Sequence, residues 1–293
     1  MLSSRIRFLL NPAAGRGNGR AHLDELRLLA SRAGAGFATS RKPEDLIRFA
    51  QDAAEDGIER LLVAGGDGTL HLAAQGLAGT DCALGVIPLG TGNDLARALG
   101  TPLALVPSVE HALEAPVRRI DLARVGETYC IGYAGMGIDS EVTHFANQVQ
   151  RLRGPLVYPY ALIRTLFSFT PPVMRVEHDG GVFEGRVMFS VAANLPSFGG
   201  GMRIAPEARI DDGLLDLVIV KAIPRLTLLT IFPKVYFGRH VTHPAVTILQ
   251  TRRAVLTVDR PLTMYGGGEP VRPVSPGEPV EIEVVPGGLA VAG

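Results

Sequence analysis

The sequence predicts two domains: an α/β domain over residues 1–122 with parallel strand pairing, then a mostly antiparallel β-sandwich over residues 123–293. The last residues are free to pack back on the first domain. Three observations carry this reading. Apolar runs alternate with helical periodicity through roughly the first 120 residues, which implies parallel strands joined by right-handed crossovers. From about Val125 onward, β-branched runs are separated by Gly, Pro and Asp-Gly turns. A chain of 293 residues, 46% apolar and 20% charged, can fill two cores of ordinary size.

Ile6 to Leu10 is a short strand that ends in the turn-rich Asn11-Pro12-Ala13-Ala14-Gly15-Arg16-Gly17. Ala21 to Ala33 is a helix, with Leu23, Leu26, Leu29, Ala30 and Ala33 at helical spacing. Gly36 to Ser40 is the second strand. Pro43 suits a first helical position, and Glu44 and Asp45 follow where the helix dipole favours acids. That helix runs to Gly57. Leu61 to Ala64 is a buried strand broken by Gly65-Gly66-Asp67-Gly68-Thr69, and a helix with Leu70, Ala73, Ala74 and Leu77 on one face follows. Ala83 to Ile87 is the next strand, then Pro88-Leu89-Gly90-Thr91-Gly92-Asn93-Asp94 and a short helix. All three glycine-rich loops follow strands, so they gather at the carboxyl edge of the sheet, where such folds bind ligands.

In the second half, strands are expected at Val173–Val176, Arg186–Ala192, Leu214–Val220, Arg253–Val258 and Val280–Val285. Helices are expected over Gly137–Gln150, Tyr158–Phe169 and Arg225–Tyr236.

The net charge is zero, so the chain carries no global electrostatic footprint for nucleic acid or an anionic membrane, and nucleic acid is not expected as a partner. Cys82 and Cys130 read as reduced core residues of a cytoplasmic protein. Met1 to Arg5 lacks the basic flank and apolar core of a signal peptide. The longest uncharged stretch, Val187 to Met202, contains Asn194, Pro196 and three glycines, so it is no membrane span. His240 and His243 have ligand-like spacing but no Cys or acidic partner nearby.

Gly65 to Thr69 is the strongest local signal. Adjacent glycines bring backbone N–H groups against an anion, and the helix that follows adds its positive end. Asp67 would repel a phosphate directly, so its use is through Mg²⁺. An ordinary strand-to-helix turn with Asp67 or Thr69 as N-cap explains the same residues. The loop at 88–94 repeats the design with glycines, a hydroxyl, a carboxylate and a helix carrying Arg97. No Gly-Lys-Ser/Thr step follows, which excludes a Walker P-loop, and GxGxxG is missing as well.

These blocks resemble the signature of the diacylglycerol kinase catalytic family, which includes bacterial lipid kinases, sphingosine kinases and ceramide kinase. The match continues through Gly135-Met136-Gly137-Ile138-Asp139, Gly199-Gly200-Gly201, Pro206-Glu207-Ala208 and Asp211-Asp212-Gly213-Leu214-Leu215-Asp216 to Gly267-Gly268-Glu269. The resemblance implies an NAD kinase/diacylglycerol kinase-like nucleotide-binding domain, a lipid-substrate sandwich domain, and an active site in the cleft between them. It implies that Asn11, Pro12, Gly15, Arg16, Thr39, Gly65, Gly66, Asp67, Gly68, Thr69, Leu70, His71, Gly90, Thr91 and Asn93 line an ATP site. Asp67, Asp94 and Arg97 would join a Mg²⁺ and phosphate network, with Glu269 as general base. Asp212 and the carbonyls of Arg209 and Leu214 match a structural Mg²⁺ site of bacterial members, although a plain Asp-Gly turn accounts for the same residues.

The implied activity is transfer of the γ-phosphate of Mg-ATP to the hydroxyl of a lipid such as diacylglycerol, as part of phospholipid metabolism. The implied location is cytoplasmic and peripheral to the membrane, with transient contact at its surface. Leu156 to Phe169 reads first as an apolar core helix and second as a contact for an acyl chain or membrane. Oligomeric state is open, a homodimer included. Three departures bear on this. Gly267 replaces the family's Asp before the Gly-Glu step, and His71 and Leu72 replace a common Asn-Glu. A nucleotide- or lipid-binding pseudokinase and a kinase of a soluble acceptor therefore stand as alternatives.

Overall fold

Strong parallel pairing organises the first part of the computed structural model, which describes residues 5–138, 140–142, 145 and 157–293. The chain divides into two units, residues 1–122 with 286–293, and residues 123–285.

The first unit holds β1 (Ile6–Leu10), α1 (Ala14–Ala21), α2 (Leu23–Arg32), β2 (Gly36–Thr39), α3 (Pro43–Glu55), β3 (Arg60–Gly65), α4 (Asp67–Leu77), β4 (Ala83–Pro88), α5 (Asp94–Leu99) and α6 (Leu105–Glu114). β1 pairs in parallel with β2 and β3, β3 with β4, and β4 with the end of β15 (Val280–Ala292) through Leu84 and Val291. The order is therefore β2-β1-β3-β4-β15. Every residue of β4 and all but the first of β3 are buried, as expected of strands covered on both faces. Asp45 closes the start of α3 by accepting the N–H of Arg41 at 2.8 Å and of Lys42 at 3.2 Å. α3 and α4 pack so closely that a Cβ on Gly76 would lie 2.6 Å from the Ile47 carbonyl oxygen.

The turn expected over 11–17 is corrected: α1 starts at Ala14. The side chain of Asn11 accepts the Ala13 N–H at 3.0 Å and its carbonyl accepts the Ala14 N–H at 3.1 Å, which turns the chain straight into a helix. The helix expected over 21–33 begins only at Leu23, after His22.

The second unit is antiparallel. β5 (Val117–Val125) runs into it and pairs with β6 (Thr128–Cys130). One sheet has the order β11 (Val246–Thr251), β10 (Leu215–Lys221), β9 (Gly181–Ala193), β7 (Tyr133–Gly137), β13 (Leu262–Gly266), β14 (Glu269–Val274). The other runs through β9, β8 (Val173–His178), β12 (Arg253–Val258) and β15. β9 serves both: residues 181–186 pair with β8, and residues 187–193 with β10 or β7.

Side-chain alternation splits the unit into two cores. Ala134, Ala192, Leu217 and Ile219 face the sandwich interior. Tyr133, Val191, Val218 and Val220 face a layer of two helices, α7 (Val157–Leu166) and α8 (Arg225–Val235). The helix expected over 137–150 lies largely outside the described residues, as does Asp139.

Candidate active site

Three strand-to-helix loops meet at one edge of the parallel sheet. Asn11 follows β1, and its amide donates to the Thr69 hydroxyl at 2.9 Å, tying the first loop to the second. Gly66 and Gly90 tie the second to the third. A Cβ on Gly90 would lie 2.6 Å from the Gly66 Cα, and one on Gly66 would lie 3.1 Å from the Gly90 Cα. Only glycines permit this backbone approach. A Cβ on Gly65 would strike the Thr69 side chain at 2.4 Å.

Asn93 closes the third loop: its side chain accepts the Gly90 N–H and donates to the Gly90 carbonyl, both at 3.0 Å. It does so from a left-handed backbone at φ 53°, a conformation Asn tolerates better than most residues. Thr39 ends β2 in register with Leu10, at the same edge.

Asp67 begins α4, and its carboxylate accepts the Leu95 N–H at 3.3 Å. Its carboxyl group is densely surrounded. Burial first, and the Asp94 carboxylate second, push its pKa up to about 6 against opposing backbone hydrogen bonds. Asp94 is itself 5% exposed. Two enclosed carboxylates facing each other fit a divalent cation, which would remove their repulsion. Neither Asp67 nor Thr69 caps α4; its N-cap is Gly66 and carries no side chain. The first-turn N–H groups thus receive no side-chain cap, and the capping alternative does not apply.

Other expected contacts sit less directly. Leu70 and His71 are buried in α4 at 1% and 3% exposure, so neither side chain offers an open contact for a nucleotide. Burial lowers the His71 pKa to about 4, and its Nδ1 has no hydrogen-bond partner. Gly15 and Arg16 lie in the first turn of α1. Thr91 is exposed, and so is Arg97, whose Nε donates to the Gly92 carbonyl at 3.2 Å.

Glu269, in the second unit, starts β14 opposite Gly266. The two residues between them, Gly267 and Gly268, have φ 57° and 89°, the tight hairpin geometry that requires left-handed residues. Glu269 is half-buried, and burial raises its pKa above the ordinary glutamate value. Asp212 accepts the Leu214 N–H at 3.1 Å and faces the Gln250 amide at 3.4 Å. Asp216 is buried and pushed up to about 6, by burial first and then by the Asp212 and Glu207 carboxylates. Among the described residues no three His, Cys, Asp or Glu side chains converge as a ligand set. The arrangement expected at Asp212, one carboxylate with two carbonyls, needs no such set. His240 and His243 are engaged locally, with the Ile204 carbonyl and the Ala245 N–H respectively.

The chain matches two family descriptions that together span it: the diacylglycerol kinase catalytic domain over residues 5–125, and the YegS C-terminal NAD kinase beta sandwich-like domain over residues 132–293. It is 30% identical to a diacylglycerol kinase of Bacillus subtilis (strain 168), over 90% of this chain and 89% of that one. It is 31% identical to a diacylglycerol kinase of Mycobacterium tuberculosis (strain ATCC 25618 / H37Rv), over 98% of this chain and 94% of that one.

The chain belongs to the diacylglycerol kinase family.

Solved structures agree on the fold. A diacylglycerol kinase from Bacillus anthracis str. Sterne superposes with a TM-score of 0.75 at 20% identity, covering 99% of this chain and 96% of that one. Yeast NADH kinase superposes with a TM-score of 0.52 at 11% identity, covering 98% and 82%. In this diacylglycerol kinase family member, Gly267 occupies the first left-handed position of the hairpin, a backbone that Asp also tolerates. The departure thus leaves the turn intact while removing a charge beside Glu269. Asp216, within the matched Asp211–Asp216 block, was not singled out from sequence as a site residue; its burial among acids shows only in three dimensions.

Proposed function

We propose that this protein transfers the γ-phosphate of Mg-ATP to the hydroxyl of a lipid of the diacylglycerol class. The observation that carries the reading is the backbone contact of Gly66 with Gly90, which sets the uncapped start of α4 beside the facing carboxylates of Asp67 and Asp94. Backbone N–H groups there bind phosphate, and Asn11 fixes the Thr69 hydroxyl as a further donor. Gly15, Arg16, Thr39, Thr91 and Asn93 complete the nucleotide loops, and Arg97 offsets charge on the transferring group. Asp67 and Asp94 would hold Mg²⁺, which would neutralise charge on the β- and γ-phosphates. The residues at Arg209, Asp212 and Leu214 would hold a second, structural Mg²⁺.

Glu269 takes the proton of the acceptor hydroxyl as its oxygen bonds to the γ-phosphorus; the bond to the bridging oxygen breaks and ADP leaves. The raised pKa of Glu269 brings it nearer the range where a base works efficiently. A lipid acceptor is supported by the names of the relatives.

The test is transfer of labelled γ-phosphate into extracted lipids. Asp67→Ala is expected to lower the rate about 10²–10³-fold, and Glu269→Ala about 10²–10⁴-fold. Unchanged transfer in both variants refutes this assignment of the site; absence of transfer in the wild type favours a binding protein without kinase activity.

A further inference from the structure

Among the described residues four strands pair with a single neighbour: β2, β6, β11 and β14. Three of these edges are protected. β2 has four residues and β6 three, too few to recruit another strand. β14 carries Pro270 and Pro273, which remove ladder donors and blunt its free side. β11 has neither device. It is the six-residue run Val246-Thr247-Ile248-Leu249-Gln250-Thr251, with no proline, glycine or charge, and it pairs with β10 alone. The Lys221 N–H donates to the Ala245 carbonyl at 2.8 Å. Antiparallel alternation from that pair turns the N–H groups of Ile248 and Gln250 away from β10. Among the described residues neither of these N–H groups has an acceptor.

The strand is short of neighbours on both of its faces as well. Val246 and Ile248 pack at the margin of the core beneath the helix layer, and Leu249 at the margin of the sandwich interior, each only partly buried. One more strand beside β11 would extend both cores at once. A bare, uncharged, β-branched edge of this length is a template for pairing, and folded proteins cover such edges. Charge at the two ends of β11 says what covers it. Glu207 lines a groove along the first half of the strand with Val241, Val246 and Ile248. Its carboxylate is exposed and forms no ion pair among the described residues. Arg252, just past the other end, is exposed too. Its backbone N–H binds Asp179 at 2.6 Å, but its guanidinium forms no ion pair among the described residues. A strand with an unpaired carboxylate at one end and an unpaired guanidinium at the other complements itself when two copies run antiparallel.

We infer that β11 pairs antiparallel with β11 of a second copy of the chain, joining two sheets into one across a twofold axis. The outward N–H groups set the register. Ile248 exchanges hydrogen bonds with Gln250 of the second copy, and Gln250 with Ile248, so that the two Leu249 side chains meet across the axis. The same register brings Arg252 of each copy level with Val246 of the other, on the face where Glu207 lines the groove. The opposite charges therefore meet twice. A parallel pair would set Glu207 beside Glu207 and Arg252 beside Arg252, which like charges oppose. The inference is independent of the acceptor and of the kinase reading.

The experiment is sedimentation velocity of the full chain over a micromolar concentration series, without nucleotide or lipid. The wild type is expected to sediment as a dimer. Gln250→Pro removes an outward N–H at an exposed edge position where proline is tolerated, and is expected to sediment as a monomer that circular dichroism shows to be folded. Gln250 also faces Asp212, so charge reversal supplies a second arm. Glu207→Arg and Arg252→Glu are each expected to weaken the dimer about tenfold or more. The double variant Glu207→Arg, Arg252→Glu is expected to restore it, which a merely destabilised fold would not do. A dimer that neither Gln250→Pro nor the single reversals weaken lies on another face and overturns the proposal. So does a wild-type monomer, which would leave the edge to a strand of a different protein.

Discussion

Asp67 carries an electrostatic cost that a bound cation would relieve, and the cost has a sign that can be measured. Its folded pKa of about 6 lies above the unfolded value of 3.8. The stabilising contribution of the protonated form is therefore complete below pH 3.8 and lost as pH rises through about 6. Without Mg²⁺, Asp67→Asn should be more stable than the wild type at neutral pH by on the order of 2–3 kcal/mol, with the difference vanishing towards pH 4. Thermal melts of both proteins across this range check it; parallel curves would contradict it. The comparison must be between variants, because His71 has the opposite sign. Its lowered pKa gives stability that is present above 6.5 and lost as pH falls through about 4. Asp67, Asp94 and Glu269 were legible in the sequence through their motifs. The raised pKa of Asp67 was not, since it depends on a carboxylate brought in by another loop. Nor was the burial of His71, because a polar residue just after a glycine-rich loop reads as exposed until the packing of α4 is known.

The contact between the loops after β3 and β4 does for the site what no single side chain can. In Gly90→Ala the new Cβ would lie 2.6 Å from the Gly66 Cα, which is backbone and cannot rotate away. The loops must part, and with them Asp67 and the Asp94 turn. The expected result is a loss of about 1–3 kcal/mol in stability and a nucleotide affinity at least about tenfold weaker, measured by calorimetry. Binding unchanged from the wild type would show that the contact is incidental. The glycines themselves are visible in the sequence, but their partners are not, because each meets a residue of a different loop. The same blindness explains α1, where Gly15 and Gly17 read as a turn. A Cβ on Gly19 would lie 2.4 Å from the Asn11 carbonyl oxygen, so that glycine serves a close approach within a helix. β9 was read as starting at Arg186, yet it starts at Gly181; its first part pairs in one sheet and its second part in the other.

The chain crosses between its two units twice, along β5 and along β15, and β15 returns as the fifth parallel strand of the first unit. The sequence marked this strand as far as Val285, where Pro286-Gly287 looks like a stop. Gly287 instead takes φ 58°, its N–H bonds Asp121 at 2.7 Å, and the strand continues to Ala292. Fold class was legible because alternating strands and helices, followed by β-branched runs, need no knowledge of partners. The two cores of the second unit were implicit in the alternation of β9 and β10. That a helix layer would cover one of them required the structure. The fold alone does not choose the acceptor, because it is shared with a kinase of NADH. The decisive measurement offers the purified chain Mg-[γ-³²P]ATP with diacylglycerol in mixed micelles, with NAD, or with no acceptor. The expected result is label in phosphatidic acid, none in NADP, and ADP release without acceptor far slower than transfer. Label in NADP, or equal ADP release in all three mixtures, would contradict it.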